Sequence, residues 1–218
     1  MRYLAERMVS EGYTVYVPRL PGHGTNRKDF LQSNWQDWLR EAVDAYLFLK
    51  SLGKPVYVCG LSMGGVLALL IAEKFFVPRL CLCAPALLLK NRIVPWTPLL
   101  KYFVKTVARP AMEFEEDYLK YLYNEYWSVH LIEKLADLSK LQKTCKKHLE
   151  DVSSDCLIIV SNKDNLVPVE VSEYIKNNTN VKSFRKRVFE ESGHVIVNDS
   201  EKMVVCDTII EWLKTAAL

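Results

Sequence analysis

The run Gly60-Leu61-Ser62-Met63-Gly64 constrains this chain more than any other feature. A wholly apolar stretch, Val56-Tyr57-Val58-Cys59, precedes it, and an apolar helical stretch from about Met63 to Phe75 follows. Strand, sharp turn, helix is the context in which a G-x-S-x-G turn lifts a serine above the edge of a sheet. The small Gly60 and Gly64 are expected to permit that turn. With 8 glycines in 218 residues, a chain of this composition would show the pattern by chance about 0.02 times.

Acyl transfer by such a serine needs a histidine base, a carboxylate to hold the base, and backbone N–H groups for the oxyanion. On this scaffold the acid and then the histidine follow the serine, each just after a strand. Asp164 follows the apolar run Leu157 to Val160 through Ser161-Asn162-Lys163. His194 follows the run Ser183 to Phe189 in Glu191-Ser192-Gly193-His194. Asp155 precedes its strand, at the wrong end of the sheet, and Asp151 is further off. His23 precedes the serine, and His130 and His148 lie in a segment of different character. Ser62, Asp164 and His194 are thus the expected nucleophile, acid and base, and the Met63 N–H an oxyanion donor.

The remaining pattern alternates helix and strand, the mark of a parallel α/β sheet. A helix is expected over Met1 to Glu11, a strand over Tyr13 to Val17, and a loop at Pro21-Gly22-His23-Gly24. Ser33 with Gln36 suggests a capping box. The apolar stripe Trp35, Trp38, Leu39, Ala42, Val43, Tyr46, Leu49 then has helical spacing. The Val56 strand is expected to be buried on both faces. Strands at Arg79 to Cys83, Leu157 to Val160 and Ser183 to Phe189 follow, then a last helix from about Asn198. Between Ala86 and about Glu150 the pattern changes to an aromatic-rich, proline-broken helical stretch. That stretch is expected to be a cap inserted at about 86–150 into a single domain of residues 1–218. Its aromatics are expected to be mostly core, with Trp96 and Trp127 as candidate walls of an acyl pocket.

Bulk properties exclude several classes. The net charge of +3 suits neither nucleic acid nor an acidic partner surface, and the basic stretch Lys140 to His148 reads as a solvated helix face. No apolar run is long enough to cross a bilayer, and Met1 to Ser10 lacks a signal core. The six cysteines lack CxxC spacing and read as reduced thiols of a cytoplasmic protein, with no metal site.

Together these residues resemble the α/β-hydrolase superfamily, in particular its bacterial carboxylesterase and monoacylglycerol lipase branch. The carrying motifs are Glu11-Gly12-Tyr13-Thr14-Val15, Pro21-Gly22-His23-Gly24, Gly60-Leu61-Ser62-Met63-Gly64-Gly65, Cys83-Ala84-Pro85, Asp164-Asn165-Leu166-Val167-Pro168 and Ser192-Gly193-His194-Val195-Ile196. The resemblance implies a cofactor-free enzyme that cleaves small-molecule carboxylic esters through an acyl-serine. It implies the Met63 N–H as one oxyanion donor and a cap that limits acyl access.

The pattern departs from the family at its start. There, an apolar strand and a His-Gly loop carrying the second oxyanion donor precede the first helix, and that strand lies centrally in the sheet. The chain reads as N-terminally truncated against this pattern. Three readings follow: an esterase whose start lies outside this sequence, a short hydrolase slowed about 10²–10³-fold by the lost donor, and a non-catalytic remnant acting as a binding module. The same triad also serves thioesters, amides and lactones, since fold does not fix substrate.

Overall fold

The computed structural model describes residues 1–109, 120, 121 and 123–215, with the backbone alone at 126 and 127. The described residues cluster into two compact units, one of 1–18, 42–91 and 142–218, the other of 19–41 and 92–141.

The first unit is a four-stranded, wholly parallel sheet. Its strands are β1 (Val58–Leu61), β2 (Arg79–Cys83), β5 (Asp155–Ser161) and β6 (Ser183–Phe189), in spatial order β1-β2-β5-β6. Helix α4 (Met63–Lys74) links β1 to β2, and α7 (Val171–Asn178) links β5 to β6. Eight consecutive residues of α4, Gly65 to Ala72, are buried, as for a helix apolar all round. On one face of the sheet, Cys81, Cys83, Leu157 and Ile159 pack with Leu4 of α1 (Arg2–Ser10) and with Val205, Cys206, Ile209, Trp212 and Leu213 of α8 (Lys202–Lys214). Strand alternation assigns the buried Leu80, Leu82, Ile158 and Val160 to the opposite face.

Arg79 anchors α8 to the sheet. Its buried guanidinium donates to the Thr215 carbonyl and to the Trp212 carbonyl, which also accepts from the Thr215 N–H and Oγ, and lies 5.1 Å from the centroid of the Trp212 ring. At the opposite end, Gly12 closes α1 at φ +83°.

Several expectations need correction. Tyr13 to Val17 forms no strand: no ladder bond reaches it among the described residues. A β-rich run becomes a strand only when a neighbour takes its hydrogen bonds. The Val56 strand begins at Val58 and runs into Gly60 and Leu61, and it lies at the edge of the described sheet. Three of its four residues are only half-buried. The capping box is one residue later than Ser33. Asn34 Oδ1 accepts from the Gln36 N–H at 2.9 Å, and Asp37 Oδ2 accepts from the Asn34 N–H at 3.0 Å. Ser33 instead takes the Trp38 indole N–H at 3.1 Å.

The second unit contains α2 (Arg27–Gln32), capped by Asn26, and the start of α3 (Trp35–Ser51). Beyond residue 92 it holds a one-turn α5 (Thr97–Leu100), an antiparallel pair of β3 (Thr106–Ala108) and β4 (Val129–Leu131), a π-helical turn at Tyr123–Trp127, and α6 (Ile132–Cys145). That strand pair was not foreseen. Trp96, Tyr102, Phe103 and Tyr121 are exposed, against the expectation of a core role. Short 3₁₀ and α turns broken by Pro95 and Pro98 offer no continuous apolar face to bury. Tyr118 lies outside the described residues, as do the side chains of Tyr126 and Trp127. The buried centre of this unit is instead Trp38, stacked on Phe30. Lys134 lies over both rings and pairs with Asp137 at 2.8 Å.

Candidate active site

Ser62 stands between the last residue of β1 and the first of α4, with φ +55° and ψ −119°. A non-glycine residue in that region is strained and persists only where its surroundings over-determine it. They do so here. The Ser62 N–H donates to the Cys83 carbonyl at 2.9 Å. The Ser62 carbonyl accepts from the N–H groups of Gly65 and Ala86, each at 2.9 Å. The end of β2 thus grips the turn from both sides. Ala84, itself at φ +42°, turns the chain so that Ala86 reaches Ser62.

Space explains the glycines, though not as the motif suggests. A Cβ on Gly60 would lie 2.1 Å from the Gly64 carbonyl oxygen, and one on Gly65 would lie 2.8 Å from Pro85 Cβ. A Cβ on Gly64 would meet nothing within 4 Å. The glycines that steric contact demands are therefore Gly60 and Gly65. Gly65 was legible only once Pro85 was known to pack against it.

The structure brings Ser62, Asp164 and His194 together. Asp164 is buried in the loop after β5. Its Oδ1 accepts from the Leu166 and Val167 N–H groups at 2.8 and 2.9 Å, and its Oδ2 faces His194 Nδ1 at 2.8 Å. Burial pushes the Asp164 carboxyl up, but the bonds from His194, Val167 and Leu166 outweigh it and hold the group below its ordinary value. An ionised carboxylate only accepts, so His194 carries its proton on Nδ1. That leaves the Nε2 lone pair facing Ser62 Oγ at 2.7 Å. The hydroxyl therefore donates to the imidazole, the arrangement a general base needs. Ser62 and His194 are half-buried, so the reacting end of the relay meets solvent while its acid end does not.

Met63 opens α4. As the first helical residue, its N–H has no intrahelical acceptor, and it lies at the positive end of the helix dipole. Asp155 begins β5 and Asp164 follows its end, so the two acids mark opposite ends of that strand. His23 Nδ1 lies 3.2 Å from the Pro21 carbonyl, and its ring packs edge-on against Phe30 and Trp38.

Sequence reasoning missed the groups that hold the histidine loop. Glu201 Oε2 accepts from the Glu191 N–H at 3.0 Å and from the Ser192 N–H and Oγ at 2.8 Å each, and Asp199 Oδ2 accepts from the Gly193 N–H at 2.8 Å. The acid loop is then tied to the histidine loop. Ser161 Oγ donates to the Ser192 carbonyl, Asn162 Nδ2 to the Glu190 carboxylate at 2.8 Å, and Lys163 pairs with Glu191. Lys90 Nζ donates to the Asp164 carbonyl at 2.5 Å. The readable signal was Asp199 and Glu201, two acids spaced just after His194.

A parallel sheet with a serine, a carboxylate and a histidine at the carboxyl ends of its strands defines an α/β architecture with hydrolase-type groups. The model of the alpha/beta hydrolase family matches residues 2–206, and the chain belongs to that family. It is 28% identical to a carboxylesterase of Bacillus subtilis (strain 168), covering 98% of this chain and 84% of that one. It is 27% identical to a thermostable monoacylglycerol lipase of Bacillus sp. (strain H-257), covering 97% and 84%. Among solved structures it resembles one from work on the metagenome-derived lipolytic enzymes LipS and LipT, with a TM-score of 0.86, 26% identity and coverage of 98% and 87%. The monoacylglycerol lipase of Paleococcus ferrophilus shares the fold at a TM-score of 0.74 and 18% identity.

Proposed function

We propose that the chain is a serine hydrolase of carboxylic esters, with Ser62 as nucleophile, His194 as general base and acid, and Asp164 as the group that fixes the imidazole. The observation that carries this reading is the relay Ser62 Oγ, His194 Nε2, His194 Nδ1, Asp164 Oδ2, with spacings of 2.7 and 2.8 Å. Ser62 Oγ attacks the ester carbonyl as His194 takes its proton, and the carbonyl oxygen becomes an oxyanion beside the Met63 N–H. Collapse expels the alcohol, which takes the proton from His194, and leaves an acyl-serine. Water activated by the same imidazole then releases the acid.

Short- or medium-chain esters and monoacylglycerols are the substrates we assign, in keeping with the activities named for the two Bacillus relatives. Residues at about 86–150 are the part of the chain we assign to a cap that limits acyl access. No cofactor enters this chemistry. We place the protein in the cytoplasm, a reading supported by six cysteines that all stand as free thiols. Among the described residues no helix is long and apolar enough to cross a membrane.

The decisive experiment treats the folded protein with a fluorophosphonate probe and maps the adduct by mass spectrometry. Labelling at Ser62, abolished in Ser62→Ala and His194→Ala, is expected. A folded protein that takes no label would remove the nucleophile from this account. Comparing turnover of a short-chain nitrophenyl ester with that of a monoacylglycerol then fixes the substrate class.

A further inference from the structure

Away from the triad, the densest group of reactive side chains is a set of three thiols. Cys59 of β1 stands in register with Cys81 of β2, and Cys83, two residues on, shares the Cys81 face. Sequence spacing conceals this group because the sheet, not the chain, brings Cys59 to the other two. The three Sγ atoms lie within 4.8 Å of one another, and those of Cys81 and Cys83 are 4.0 Å apart. Three sulfurs in a plane about 2.3 Å from a central metal stand about 4.0 Å from each other. The cluster needs only a small contraction to reach that geometry.

The donor set selects the kind of cation. No imidazole or carboxylate joins the three thiols among the described residues, so hard, oxygen-seeking cations have nothing to bind. Structural zinc takes four ligands. A soft cation content with three sulfurs fits, and thiolates select Cu(I). Leu157 and Ile159 stand in register with Cys81 and Cys83 and share their buried apolar cluster. Cys59 is half-buried, on the strand at the edge of the described sheet.

We propose that Cys59, Cys81 and Cys83 form a trigonal sulfur site for a soft monovalent cation of the Cu(I) class. Binding forms three Cu–S bonds and releases three thiol protons to solvent. Three thiolates and Cu(I) remain, with two net negative charges, and no electron is transferred. Because protons leave, affinity rises with pH.

The test is an anaerobic titration of the reduced full chain with Cu(I) against a chromophoric Cu(I) chelator. The expected result is one equivalent withheld from the chelator, with affinity falling at least about tenfold in Cys83→Ala and in Cys81→Ala and unchanged in Cys145→Ala and Cys156→Ala. Far-UV circular dichroism checks that each variant is folded. Unchanged affinity in Cys83→Ala, or equal losses in the two control variants, overturns the proposal. If the core variants do not fold, X-ray absorption at the copper edge of the loaded natural chain decides. Three sulfur neighbours support the site, and two sulfurs or a nitrogen or oxygen neighbour overturn it.

Discussion

Ser62 owes its position to its backbone rather than to its side chain. Its strained φ is held by one bond donated to β2, one accepted from the exit of β2 at Ala86 and one accepted from Gly65 of α4, so Ser62→Ala keeps the turn while deleting the proposed nucleophile. We expect its Tm to match the natural chain, with ester turnover lower by about 10⁴-fold or more. Asp164→Asn keeps the two backbone bonds to the loop but favours the wrong imidazole tautomer, and should lower kcat by about 10⁴ with little change in KM. The glycines separate in the same way. Gly64→Ala enters open space inside a helix and should raise stability by about 0.5–1 kcal/mol. Gly60→Ala drives a Cβ into backbone and should prevent the native turn from forming. Urea denaturation of both variants checks this pair.

Elements carry the next set of effects. Glu73, on α4, is pushed up to about 7 mainly by burial, against the hydrogen bond with Cys145. A folded-state value above the ordinary 4.5 means the folded chain holds the proton more tightly. Its contribution is therefore most favourable below about pH 4.5 and is lost as pH rises to about 7. Glu73→Gln should remove that slope and raise the urea midpoint at about pH 8 relative to the natural chain. Arg79→Ala removes the side chain that ties the Trp212 and Thr215 carbonyls to the sheet and should cost about 2–3 kcal/mol, read as a fall in Tm. The elements themselves were largely legible: β2 and β6 keep the bounds that apolar runs and alternation gave, and the order serine, acid, histidine followed from the scaffold that the G-x-S-x-G turn implies. What stayed hidden depended on neighbours. Periodicity describes one segment at a time, so it could not tell that β1 lies at the edge of the described sheet, that Tyr13 to Val17 lacks a ladder among the described residues, or that Asn34 outcompetes Ser33 for the cap. Nor could it show that Glu201 and Asp199, one helix onset away, hold the histidine loop.

At the scale of the molecule, the three reactive side chains come from three strand ends, while the strand between them, β2, contributes bracing alone. Ser62 and His194 are 132 residues apart in the chain, and Asp164 and His194 are 30 apart. Parallel pairing leaves no shortcut between such positions, and contacts of this range form late. Reactivity is therefore a timed property. After dilution from denaturant, the helical signal should return well before Ser62 accepts a fluorophosphonate, and stopped-flow circular dichroism beside quenched labelling would show the interval. During synthesis the serine is made long before its base, so the growing polypeptide passes through most of its length chemically inert. An attacking group that cannot attack until the last strand has docked is harmless to the ribosome, to chaperones and to neighbouring acyl groups, and the order of folding supplies that safeguard.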